Sequence, residues 1–181
     1  MITARQTKKE NIVEYLLYMW QVEDLIRACH FSMDEIESRI ISQYEQPEEI
    51  KREIRQWYQE LIDMMRIEGV KETGHIRINK NVMAELTDLH LRLLKSPQEA
   101  AVYGALYQKT LPAIVQLRSK SGGKEVSEIE TCLTAVYGYV LLKMQRTEIS
   151  AETGEAIRQI SNLLAFLAAG FREERNGTCL N

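Results

Sequence analysis

The stretch Lys8-Lys-Glu-Asn-Ile-Val-Glu-Tyr-Leu-Leu-Tyr-Met-Trp-Gln-Val-Glu-Asp-Leu-Ile-Arg-Ala-Cys29 decides the fold. Ile12, Tyr15, Leu16, Met19, Val22 and Ile26 recur at three-and-four spacing, the period of an α-helix and not of a strand. This predicts a first helix from about Lys8 to Cys29. Its apolar residues run almost all the way round, which marks a central, buried helix. Charges interrupt that surface. Glu23 falls between Leu16, Met19 and Arg27 on the most apolar side, Asp24 stands three residues before Arg27, and Trp20 borders the same face.

The helical period continues outward. Ser32-Met-Asp-Glu35 is a capping box, which starts a short second helix ending near Tyr44. Pro47 suits a helix start, and Ile50, Ile54, Trp57, Tyr58, Leu61, Ile62 and Met65 give the third helix one apolar face, with Gly69 as its C-terminal cap. Val70 to Ile78 has a β flavour, and Gly74 predicts a small hairpin near 70–78. Asn79 or Asn81 is expected to cap a fourth helix through Val82, Leu86, Leu89 and Leu93 to Lys95. Ser96-Pro97-Gln98-Glu99 opens a fifth, which Pro112 should kink or split, and Ser119 to Lys124 reads as a polar loop.

Ser127-Glu-Ile-Glu130 opens a sixth helix carrying Ile129, Leu133, Val136, Tyr137, Val140 and Met144. Ser150 starts a seventh with Ile157, Ile160, Leu164, Leu167 and Phe171, where Ala165, Ala168, Ala169 and Gly170 would admit a close neighbour. The first few residues and 175–181 are expected to fray. The fold class read from this pattern is all-α: one domain over residues 1–181, a compact bundle of about seven helices.

The totals agree. A chain of 181 residues can bury a core without disulfides or metal. Hydrophobic residues at 45% against 27% charged exclude a disordered chain, and 3 Pro with 9 Gly leave little for a turn-rich β fold. A net charge of −3 lacks the basic surplus of a dedicated nucleic-acid binder. Cys29, Cys132 and Cys179 have neither the number nor the spacing of a disulfide framework, and read as reduced thiols. No apolar signal core opens the chain, and the runs Leu133 to Leu142 and Leu163 to Phe171 are too short to cross a bilayer. The expectation is a cytoplasmic protein without membrane contact.

Candidate chemistry centres on Trp20, Glu23, Asp24, Arg27 and His90. Buried charges are costly unless paired and hydrogen-bonded. The bland reading is therefore a satisfied internal network that fixes helix register. The sharper one is a polar pocket between the first and fourth helices, with His90, inside the apolar stripe near Leu86 and Leu93, as base or ligand. No metal or cofactor site is expected. The one Glu-x-x-His pair, Glu72 with His75, spans a glycine in a loop, and His30 and His75 lack partners at ligand spacing. Gly122-Gly-Lys124 runs into Glu125, not Ser or Thr, which excludes a phosphate loop. The second and third helices with a hairpin would have winged-helix order, but Glu48, Glu49, Glu53 and Glu60 interleave with the bases. Val102-Tyr-Gly104 and Val136-Tyr-Gly138 lie one tetratricopeptide period apart, yet the positions downstream do not follow the repeat.

Three segments carry a resemblance: Lys9 to Arg27, Asn79-Lys-Asn-Val-Met-Ala-Glu-Leu-Thr-Asp-Leu-His-Leu-Arg-Leu-Leu-Lys-Ser-Pro97, and Glu128-Ile-Glu-Thr-Cys132. They resemble the bacterial domain-of-unknown-function family 4924. The likeness spans nearly the whole chain and implies a helical protein of the Bacteroidetes group. It implies no activity, cofactor or partner, and so assigns no site residue. With no catalytic signature, the leading expectation is a non-enzymatic protein–protein interaction or assembly module, binding itself or another protein. The alternatives are a small-molecule binder or enzyme using the Glu23 region, and then a nucleic-acid binder.

Overall fold

The computed structural model describes residues 2–120 and 126–177. The described residues are all-α, with eight α-helices, one 3-10 turn and no strand. The helices are α1 (Ile2–Glu10), α2 (Ile12–Ala28), α3 (Met33–Arg39), α4 (Glu48–Ile67), α5 (Arg77–Lys95), α6 (Ala100–Lys120), α7 (Glu128–Met144) and α8 (Ala151–Arg175). The chain divides into two compact units. The first holds the segment up to Glu10 and Glu14–Asn81, and the second holds Asn11–Val13 and Val82 onward.

Along the chain, helix begins earlier than expected. The frayed start gives way to α1, and Asn11 separates it from α2. The Asn11 Oδ1 accepts the Val13 N–H at 3.1 Å, an N-cap that ends one helix and starts the next. Ser32 caps α3 as its box predicts, its hydroxyl accepting the Glu35 N–H at 3.3 Å. Between α2 and α3, His30 and Phe31 both take positive φ, uncommon for side-chain-bearing residues. Helix α4 buries Ile54, Tyr58, Leu61, Ile62 and Met65. Arg55 ties it to α3 through two bonds to Glu37, at 2.6 and 2.8 Å. Gly69 ends α4 with φ of 69°, while the Val70 N–H reaches the Met65 carbonyl and the Gly69 N–H reaches that of Arg66. This is a Schellman cap, and glycine is there because the conformation is left-handed.

The hairpin near 70–78 does not form. Residues 70–76 make an irregular loop, and α5 already starts at Arg77. A guanidinium takes the place of the missing strand partner: Arg27 donates to the carbonyls of Val70, Lys71 and Gly74. Those carbonyls have no need of a cross-strand N–H. Nor does Asn79 or Asn81 cap α5, which begins before either of them.

In the second unit, Ser127 and Ser150 cap α7 and α8, accepting the N–H groups of Glu130 and Thr153 at 3.0 and 3.2 Å. The box expected at Ser96 does not form: only backbone bonds such as that of the Ala100 N–H to the Ser96 carbonyl lead into α6, whose regular helix begins at Ala100. Pro112 does not split α6, which is continuous from Ala100 to Lys120. Proline removes one ladder bond, and here the packing of α6 on α8 outweighs that loss. Helix α8 buries Leu163, Leu164, Leu167 and Phe171 together with the small Ala168 and Gly170. Helix α6 ends within the expected Ser119–Lys124 loop; residues 121–125, and the tail from 178, lie outside the described residues, as does Cys179.

Candidate functional site

Helix α2 turns Trp20 and Glu23 to one side, three residues apart, and both are buried, Glu23 completely. An isolated carboxylate there would be prohibitively unfavourable. Glu23 is instead saturated with donors. Its Oε1 accepts the Ile76 N–H at 3.0 Å and the Asn79 side-chain amide at 2.8 Å. Its Oε2 lies 2.5 Å from the His75 Nδ1. The His75 ring stacks on Trp20 at 4.2 Å between centroids, only 10° from parallel. Ile76 immediately precedes α5 and Asn79 lies in its first turn, so Glu23 also places negative charge at a helix N-terminus. Asn79 thus serves the carboxylate of another helix and does not cap its own.

Asp24 and Arg27 form a separate pair at 2.7 Å. Asp24 is half exposed, whereas the Arg27 side chain is largely covered and spends its remaining donors on the 70–74 carbonyls. The sequence placed Glu23 beside Arg27; in the fold one gathers donors and the other gathers acceptors.

His90 has partners of its own in the second unit. Its Nδ1 lies 2.7 Å from the Tyr103 hydroxyl and its Nε2 3.4 Å from Glu128. The Tyr107 hydroxyl donates to the same Glu128 at 3.2 Å. Burial lowers the His90 pKa, against the opposing pull of Glu128. Burial likewise pushes the Tyr103 hydroxyl up and raises the nearby Cys132 thiol to about 12, so neither is an anion at neutral pH. Glu23 and His90 therefore anchor two different clusters, one in each unit.

Sequence reasoning missed His75, Tyr103 and Glu128 as partners. No spacing signals the first, because it reaches Glu23 from a loop. Among the described residues no group of three or more His, Cys, Asp or Glu is arranged to hold a metal ion, and no helix is long and apolar enough to cross a membrane.

A third feature is a surface. On α7, Ile129 and Leu133 are buried, but further along the same stripe Val140 is 41% exposed and Met144 63%. From Thr134 to Met144 no residue is buried. Beside this half of the helix runs a groove of about 520 Å³, lined by Leu117, Ala135, Gly138, Leu142 and Ile157 among others. A second, of about 680 Å³, follows α6 and α8.

An all-α protein with two buried polar clusters and an uncovered apolar helix face is what the geometry defines. The chain matches the family described as a domain of unknown function, DUF4924, over residues 1–178, and it belongs to that family. No curated protein and no solved structure matches it.

Proposed function

We propose that this chain is an assembly module that associates with a second copy of itself through the second half of α7. The observation that carries this reading is the exposed continuation of a core stripe. Val136, Tyr137, Val140 and Met144 extend the line of Ile129 and Leu133, yet Val140 and Met144 stand in solvent. Contiguous apolar surface of this kind is removed from water by association. The run Thr134 to Leu142 carries no charged side chain, so its complement is another apolar surface. A twofold contact of the stripe with itself supplies one and closes the assembly at a dimer. The buried, unpaired thiols Cys29 and Cys132 fit a reducing compartment, and we read the location as cytoplasmic.

Light scattering on size-fractionated protein tests the reading. A dimer is expected in the full chain, and a monomer of unchanged far-ultraviolet dichroism in Val140→Asp and Met144→Lys. A monomer at every concentration in the unaltered chain would overturn self-association.

A further inference from the structure

The chain has three histidines, and the structure gives each a different environment. The His30 side chain is 78% exposed and only loosely placed, 3.4 Å from Glu35. His90 is buried with both ring nitrogens engaged. His75 alone combines a firm hold with access. Its Nδ1 is 2.5 Å from a fully buried carboxylate, its ring lies flat on Trp20, and a quarter of its side chain is open to solvent. Among the described residues nothing meets its Nε2.

An ionised carboxylate only accepts hydrogen bonds, so the proton of neutral His75 resides on Nδ1 and the lone pair on Nε2. Glu23 cannot swing away, because the Ile76 N–H and the Asn79 amide pin its other oxygen. A buried carboxylate orienting an imidazole whose far nitrogen is free is the arrangement that prepares a histidine as base or nucleophile. We infer that His75 is the reactive imidazole of this chain, a nucleophile and base toward small activated acyl esters, with Glu23 as its positioning residue. The inference stands on the first unit and is independent of the assembly surface on α7.

The Nε2 lone pair forms a bond to the acyl carbon while the carbon–oxygen bond to the leaving group breaks, and the leaving group departs with that electron pair. The resulting acyl-imidazolium keeps its Nδ1 proton shared with Glu23. Water then adds to the acyl carbon, the carbon–nitrogen bond breaks with its electron pair returning to Nε2, and the carboxylic acid leaves with the neutral imidazole restored. The second proton of the water passes to solvent, balancing the anionic leaving group released before. Nothing is oxidised or reduced, and water is the one co-reactant.

p-Nitrophenyl acetate with the full chain is the probe, read as p-nitrophenolate release. The reaction is expected to exceed that of free imidazole at equal concentration and to fall about tenfold or more in His75→Gln. His30→Gln should retain the rate. Glu23→Gln, checked for folding by dichroism, should slow the reaction and change its pH profile, which a merely structural loss would not do. Nitrogen-15 spectra of the unaltered chain should show the Nδ1–H tautomer at His75, a readout that remains if Glu23→Gln fails to fold. An unchanged rate in His75→Gln, equal losses in His75→Gln and His30→Gln, or an Nε2–H tautomer would each overturn the inference.

Discussion

Truncating Glu23 is the most direct trial of the first unit. In Glu23→Ala the Ile76 N–H and the Asn79 amide lose their acceptor in a place water does not reach. Each orphaned donor costs about 1–3 kcal/mol. The lost methylene adds about 0.8 kcal/mol. His75 retains some solvent contact and loses less. The total is about 3–7 kcal/mol, whose lower half is the range for breaking one side of a buried charged network. Glu23→Gln keeps an oxygen for Ile76 and Asn79 and forfeits only the charged contact to His75, so it should cost about 1–2 kcal/mol. Urea unfolding of the full chain, followed by tryptophan emission, measures both, since Trp20 and Trp57 both lie in the first unit. If Glu23→Ala costs less than about 1 kcal/mol, or Glu23→Gln costs as much as Ala, the account of Glu23 as a saturated acceptor is wrong.

Arg27→Lys should loosen the 70–76 loop, because an ammonium cannot reach three carbonyls as the guanidinium fork does; faster tryptic cleavage at Lys71 would register it. Lowering the pH below the ordinary histidine value of 6.5 should destabilise the second unit. The folded pKa of His90 is depressed by burial, so over that window the unfolded chain binds more protons, and the stability present above 6.5 is lost as pH falls through the folded pKa. His90→Gln should flatten this slope in denaturation curves recorded between neutral and mildly acid pH. Arg146 ends α7 with φ of 56° and is exposed, so Arg146→Gly should stabilise by about 0.5–1 kcal/mol; a lower melting point would contradict it.

Local signals in the sequence were reliable wherever a single turn of chain decides the outcome. Ser32, Ser127 and Ser150 cap the helices they were expected to cap, and Gly69 ends α4, because each of these bonds closes within a few residues. The errors lie where a distant group wins. Asn79 has a capper's chemistry, but α5 begins before it: Glu23, far away in sequence, takes its amide N–H, and the Oδ1 that would have capped has no partner. Gly74 invites a turn between strands, but Arg27 takes the carbonyls a strand partner would have needed. Trp20 and Glu23 were visible as neighbours on one helix face, while His75 was not, since a loop residue has no period to betray its direction.

Helix α7 exposes a different limit. Hydrophobic period reports which face of a helix is apolar, not how far along that face a neighbour extends. Ile129, Leu133, Val136, Val140 and Met144 form one stripe by spacing, and the sequence gives no reason to divide it. The fold divides it, burying the first two and exposing the last two. Residues that merely fill a core lose their purpose where the core ends, and a polar surface would serve better there. Val140 and Met144 continue the stripe nonetheless, beside an apolar groove on another side of the same helix. The mismatch between pattern and coverage is what supports the proposed interface on α7, and it becomes visible only when period and burial are set side by side.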